Sequence, residues 1–162
     1  MFYGNAEEYR IYHTERGREV PETLTDEQIS AALLVASEWL DARYSFSGFK
    51  TGGREQERQW PRTNAYTNSY PVYFFKDDQI PSEIEKATYE AALRQLNSPD
   101  TLTTDYTPSK YKSVSVSGAV SIEYAIFKGS SDTQTQIQIV DDILRDIVTS
   151  ENADFSGKVD RV

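Results

Sequence analysis

Cysteine is absent from the 162 residues, which removes disulfide bridges and thiolate metal sites from the chemistry open to this chain. Histidine occurs once, at His13, so no imidazole cluster or histidine pair can form within one copy. A lone histidine beside Tyr9 or Tyr12 is expected to be partly buried or at the surface. Long apolar runs are missing too. No stretch approaches the roughly 20 residues that cross a bilayer, and the N-terminal stretch has no apolar run of the signal-peptide type. The expectation is a soluble protein, without a membrane partner, that works in the cell where it is made or in a particle assembled there.

Positive charge is in short supply: 17 Lys and Arg stand against 26 Asp and Glu, a net charge of -9. That argues against a general nucleic-acid coat, because such binding is driven by phosphate neutralisation. A local basic patch stays open. The HExxH, GxSxG, dinucleotide, calcium-loop and phosphate-loop patterns are all missing. No acidic residue stands in a clearly apolar setting that would suggest a tuned carboxyl, and Asp77–Asp78 reads as a solvated turn. These absences predict a protein that is not an enzyme and carries no cofactor and no metal.

What is present is helical periodicity. Ile84, Ala87 and Ala91, flanked by Leu93 and Leu96, recur near the helical period over residues 80–96. Pro81 suits a helix start, Glu83 and Glu85 suit its first turn, and Arg94 suits its last. The small side chains predict an interior helix that serves as scaffold. Thr25 and Gln28 form a capping-box pattern ahead of Ile29, Ala32, Leu33, Ala36, Trp39 and Leu40, which predicts a helix over 25–44. Asn5 and Glu8 repeat that pattern before a helix over 5–16, with Gly17 to Thr23 as a charged loop. Ile137, Val140, Leu144, Ile147 and Val148 predict a last helix over 136–149, with Asp141, Asp142 and Asp146 on its outer face.

Between the second helix and the interior helix the texture changes. Residues 48–62, GFKTGGREQERQWPR, bring Lys50, Arg54, Arg58 and Arg62 around Trp60 and Pro61. Two readings stand side by side. The cations and the indole ring could contact single-stranded nucleic acid by phosphate binding and stacking. Alternatively, Trp60 seals the end of the helix pack while the arginines pair with acids on this or a neighbouring subunit. Residues 62–78, rich in Tyr and Phe, predict an extended excursion with one or two short strand-like pieces. After a turn-rich linker over 97–108, alternation at Val114, Val116, Val120, Ile122 and Tyr124 predicts a β-hairpin near 111–126. Residues 129–135 read as a polar loop. The 11 tyrosines suggest either interface enrichment or a small core that uses tyrosine at its edges. Together these signals predict a mainly α fold. It is a small bundle of about four helices with an inserted or appended β-hairpin, in one domain over residues 1–150 followed by a flexible tail over 151–162.

Four segments, YGNAEEYRIYHTERG, SEWLDARYSFSGFKTGG, REQERQWPRTNAY and IPSEIEKATYEAALRQL, followed by SVSVSGAVSIEY, resemble a family of small proteins of tailed bacteriophages and prophages. The resemblance spans residues 3 to 125. It rests on Arg54, Gln56, Gln59, Trp60, Pro61 and Arg62, and then on Ile80, Pro81, Ala87, Glu90 and Ala91. The aromatic stretch Thr67 to Lys76 departs from the family pattern. Two labels go with such sequences, head-to-tail connector (adaptor or head completion protein) and DnaT-like single-stranded DNA-binding protein. The acidic balance favours the first.

The connector resemblance implies a homo-oligomeric ring, of about twelve subunits in related connectors, at the head–tail junction of a virion. It also implies manufacture in the bacterial cytoplasm and contacts to a portal protein and to a tail or stopper protein. DNA would pass through the channel without sequence-specific binding. Trp60, Pro61, Arg62, Arg54, Arg58, Ile122 and Tyr124 are the structural or interface candidates. Lys50, Arg54, Arg58 and Arg62 are the candidate nucleic-acid contacts under the DnaT-like alternative.

Overall fold

The computed structural model describes residues 1–99, 101–103, 113–116, 120–123 and 136–149. They form a mainly helical bundle of four α-helices with an inserted two-stranded hairpin. The elements are α1 (Ala6–Thr14), α2 (Asp26–Arg43), β1 (Phe49–Lys50), a 3-10 turn (Gly53–Glu55), β2 (Arg62–Thr63), α3 (Ser82–Asn97), β3 (Ser113–Val116), β4 (Val120–Glu123) and α4 (Gln138–Leu144).

α2 begins as its sequence predicts. The Thr25 hydroxyl accepts from the Gln28 amide, and the Gln28 side chain accepts from the Thr25 amide, closing both arms of the capping box. At α1 only one arm closes. Asn5 accepts the Glu8 amide at 2.9 Å, while the Glu8 carboxylate takes the Tyr89 hydroxyl of α3 at 3.0 Å. That second contact ties α1 to α3 and is a tertiary choice that local pattern does not contain.

α3 is the middle of the bundle and packs on α1, α2 and α4. Ile84, Ala87 and Ala91 are fully buried, as the periodicity predicts, but so are Thr88, Tyr89, Glu90 and Ala92. With neighbours on three sides, the helix is covered nearly all round between residues 87 and 92. Ala32 and Ala36 of α2 are buried as well, and small side chains on both helices permit close approach. Leu93 and Leu96 sit half-buried at the flank.

α4 is shorter than the predicted 136–149. Its helix ends at Leu144, and a turn follows in which the Ile147 and Val148 amides both reach the Leu144 carbonyl. Backbone pairing with another segment then takes over: Val148 bridges Phe46, and the Thr149 amide donates to the Ser45 carbonyl at 2.9 Å. The acids of this segment are not all on an outer face either. Asp141 accepts the Tyr44 hydroxyl at 2.5 Å, Asp146 binds Ser69, and Asp142 is exposed.

β1 and β2 pair antiparallel, Phe49 opposite Thr63 and Lys50 opposite Arg62. Gly48 enters this pair at φ 71°, where a Cβ would lie 2.3 Å from the Thr63 carbonyl oxygen, so only glycine fits. β3 and β4 form the second antiparallel pair, with Val114 opposite Ile122 and Val116 opposite Val120. Tyr124, the loop at 129–135 and the tail at 151–162 lie outside the described residues, as does part of the predicted linker over 97–108.

Candidate functional site: the basic loop and the aromatic excursion

The loop from Lys50 to Arg62 is held together by its own side chains. Gln56 is the hub. Its side-chain Oε1 accepts the Gly52 amide at 2.8 Å, and its Nε2 donates to the Arg58 and Pro61 backbone carbonyls at 2.9 and 3.0 Å. Lys50 Nζ donates to the Gln56 carbonyl at 2.9 Å. The four cations of the sequence pattern therefore have different fates.

Arg58 is only 5% exposed. Its Nε donates to the Met1 carbonyl at 2.6 Å, and its Nη2 donates to Glu57 and Glu38 at 2.9 and 3.3 Å. Its Nη1 lies 3.6 Å from Asp41. Arg62, 8% exposed, clamps the chain before β1: it donates to the Ser47, Phe46 and Gly48 carbonyls at 2.7, 3.1 and 2.7 Å. Its Nη1 reaches the Gln59 side chain at 2.8 Å. Burial pulls the Arg62 guanidinium below its ordinary value, with nearby Tyr3 and Asp41 acting in the opposite sense. Arg54, on the 3-10 turn, faces solvent. Of the four cations, Arg58 and Arg62 are buried and brace their own chain, whereas Lys50 is half-buried and Arg54 exposed.

Trp60 is 1% exposed, so its ring is part of the core. Phe46 and Phe75 meet it edge-on at centroid distances of 5.6 and 5.5 Å. Its backbone amide donates to the Tyr3 hydroxyl at 3.1 Å, and that hydroxyl donates to Asp41 at 2.6 Å. Asp41 also accepts the Gln59 amide at 3.2 Å. Burial pushes the Asp41 carboxyl up, against the opposing pull of Tyr3, the Gln59 amide and Arg58. Among the described residues the Trp60 indole N–H finds no hydrogen-bond partner.

A second polar group was not anticipated from the sequence. Glu90 is fully buried, but among polar partners rather than in an apolar setting. Arg18 donates to both its oxygens at 2.8 and 2.9 Å, Arg94 bonds it from one turn along α3, and Tyr12 donates at 3.1 Å. Burial pushes the Glu90 carboxyl up, but the two arginines outweigh it and hold the group below the usual value. His13 lies alongside and is fully buried, not at the surface. Its Nε2 meets the Tyr89 carbonyl at 3.2 Å, and its Nδ1 faces Arg18 at 3.3 Å. With the proton on Nε2, Nδ1 is free to accept from Arg18, so this pair of contacts fits a neutral imidazole. The available sequence signal was Glu90 itself, set between alanines at 87 and 91 on the stripe that the helix buries.

The tyrosines divide. Tyr3, Tyr9, Tyr12 and Tyr89 belong to the core, whereas Tyr66, Tyr70 and Tyr73 are exposed together with Val72 and Phe74. The exposed set lies on an excursion closed by the Tyr66–Phe74 bridge, whose two rings sit 5.9 Å apart. Thr67 and Tyr73 lock it across the middle: the Thr67 amide donates to the Tyr73 carbonyl and the Tyr73 amide to the Thr67 hydroxyl, both at 2.9 Å. Its other flank is pinned to the turn that follows α4. There the Asn68 amide donates to the Asp146 carbonyl at 2.7 Å, and Ser69 donates to the Asp146 carboxylate at 2.9 and 3.0 Å.

Among the described residues no group of three or more His, Asp or Glu could hold a metal ion. No helix there is long and apolar enough to cross a membrane. No curated protein and no solved structure matches the chain. The internally braced loop, the alanine-lined α3 and the flanking segments are parts of one continuous sequence pattern. That pattern runs over residues 3–162 and matches the family described as "Putative DnaT-like ssDNA binding protein", to which this chain belongs.

Proposed function

We propose that this chain is a non-catalytic structural subunit of a tailed-phage head-to-tail connector. Copies would pack as a homo-oligomeric ring through a repeated heterologous contact, between a portal protein and a tail or stopper protein, in a virion assembled in the bacterial cytoplasm. The observation that carries this reading is the fate of the basic loop. Arg58, Arg62 and Trp60 are enclosed by their own chain, and the large exposed feature is an aromatic excursion suited to protein contact. The net charge of -9 fits a channel wall that repels the DNA backbone, so packed DNA slides without sticking.

The second reading is a DnaT-like protein that binds single-stranded DNA, and the family match favours it over the connector. With Arg58 and Arg62 enclosed, the basic loop would offer it Lys50 and Arg54, beside the exposed aromatic rings. One paired experiment separates the readings: native mass measurement with a purified portal ring, and oligonucleotide titration at several salt concentrations. A portal-bound ring with negligible DNA affinity supports the connector. DNA binding that weakens with salt at a log–log slope near -0.7 per phosphate contact, with no affinity for portal or tail proteins, refutes it.

A further inference from the structure

We propose that the aromatic finger, residues 66–74, is the surface by which the chain docks on a second copy of itself. The inference deepens the assembly reading above and rests on it. Four rings and a valine project from this short segment: Tyr66 is 41% exposed, Tyr70 96%, Val72 48%, Tyr73 53% and Phe74 64%. At about 200 Å² for a fully exposed aromatic side chain, they offer about 600 Å². That lies at the upper end of the largest patch found on ordinary monomers, about 300–600 Å². Counted on both sides of a contact it gives about 1,200 Å², above the roughly 1,000 Å² that a specific interface needs.

The finger is also rigid enough to serve as a preformed knob. Thr67–Tyr73 pairing fixes its two arms, and Asn68 and Ser69 tie it to Asp146. Little ordering cost is left for docking.

Charge selects the occupant. Residues 63–75 carry no charged side chain and form the longest uncharged stretch in a chain that is 27% charged. A polyanion such as DNA finds no cation within the stretch, and a strongly charged peptide finds no counter-charge. Two copies at -9 each repel one another over most of their surfaces, so their contact is best made where acids are missing. A neutral aromatic surface with Tyr hydroxyls and Asn amides meets that condition.

The test compares the wild-type chain with the double variant Tyr70→Ser/Phe74→Ser by sedimentation over a range of protein and salt concentrations. Ile11→Ser, which removes an exposed apolar side chain of α1, serves as the control. Thermal midpoints should agree among the three, because the altered side chains face solvent. The proposal expects wild-type self-association that persists or strengthens as salt rises. Each buried aromatic anchor removed should weaken it by about thirtyfold or more, while the control leaves it unchanged. Equal association of wild type and double variant would overturn the finger contact and leave self-assembly standing. A wild-type chain that stays monomeric would overturn the finger contact too. If it also failed to assemble on a portal ring, the connector reading would fall with it. Oligonucleotide binding that the double variant abolishes would overturn the proposal in favour of base stacking.

Discussion

Trp60→Ala separates a core-sealing tryptophan from a base-stacking one. The ring is enclosed between Phe46 and Phe75, and Tyr3 and Asp41 hold its backbone in place. Truncating a buried aromatic in a packed core costs about 3–5 kcal/mol, from lost transfer energy and the cavity left behind. At about 2–4 °C per kcal/mol for a domain of this size, the thermal midpoint should fall by about 6–20 °C. Trp60→Phe should fall much less. It keeps a ring against both neighbours and removes an indole N–H that is buried without a partner among the described residues. The assay is thermal unfolding by circular dichroism, run beside oligonucleotide titration of the folded variants. An unchanged midpoint for Trp60→Ala together with lost DNA binding would refute the packing argument and return Trp60 to a stacking role.

The two loop arginines Arg54 and Arg58, one exposed and one buried, should differ in the size of their effect. Arg54→Ala should change urea-unfolding stability by less than about 0.5 kcal/mol, whereas Arg58→Ala should cost about 2–3 kcal/mol by leaving the half-buried Asp41 without its cation. Glu90→Ala should cost about 2 kcal/mol in the same assay, below the 3–5 kcal/mol of a fully enclosed pair because Arg18 and Arg94 are each about a third exposed; no loss would refute the Glu90 network. Stability should also fall on acidification below the ordinary histidine value of about 6.5. Burial depresses the folded His13 value, so the unfolded chain binds the proton first, and the contribution present above that pH is lost as pH drops. Arg18 and Arg16 add to this, while the Tyr89 carbonyl and then Glu90 oppose it. His13→Gln should flatten this limb in pH-dependent unfolding, and an unaltered profile would contradict the neutral buried imidazole. The Glu90 carboxyl, held low, contributes above its unfolded value and loses that contribution only at lower pH.

Much of the helical frame was legible in the sequence because it follows from local periodicity. Thr25 with Gln28 starts α2, and Ile84, Ala87 and Ala91 mark a buried face of α3. The alternation of Val114 and Val116 with Val120 and Ile122 marks the paired strands. These patterns need only a 3.6-residue or two-residue repeat and a start signal within a few positions.

What only the tertiary structure decided was which polar groups face inward and what they meet. Loop 50–62 reads the same as a phosphate-binding patch or as a braced turn. The choice depends on Met1, Glu38, Asp41, Phe46 and Ser47, which reach it from other segments of the chain. Glu90 looked like part of a scaffold helix until Arg18, from a loop far away in sequence, arrived to neutralise it. α4 stopped early because residues 148–149 found backbone partners at 45–46. Likewise the tyrosines could be core or surface until the packing buried Tyr3, Tyr9, Tyr12 and Tyr89 and left Tyr66, Tyr70 and Tyr73 outside. A side chain's periodicity is set by its own segment, but its desolvation and its charge partner are set by whichever distant segment packs against it.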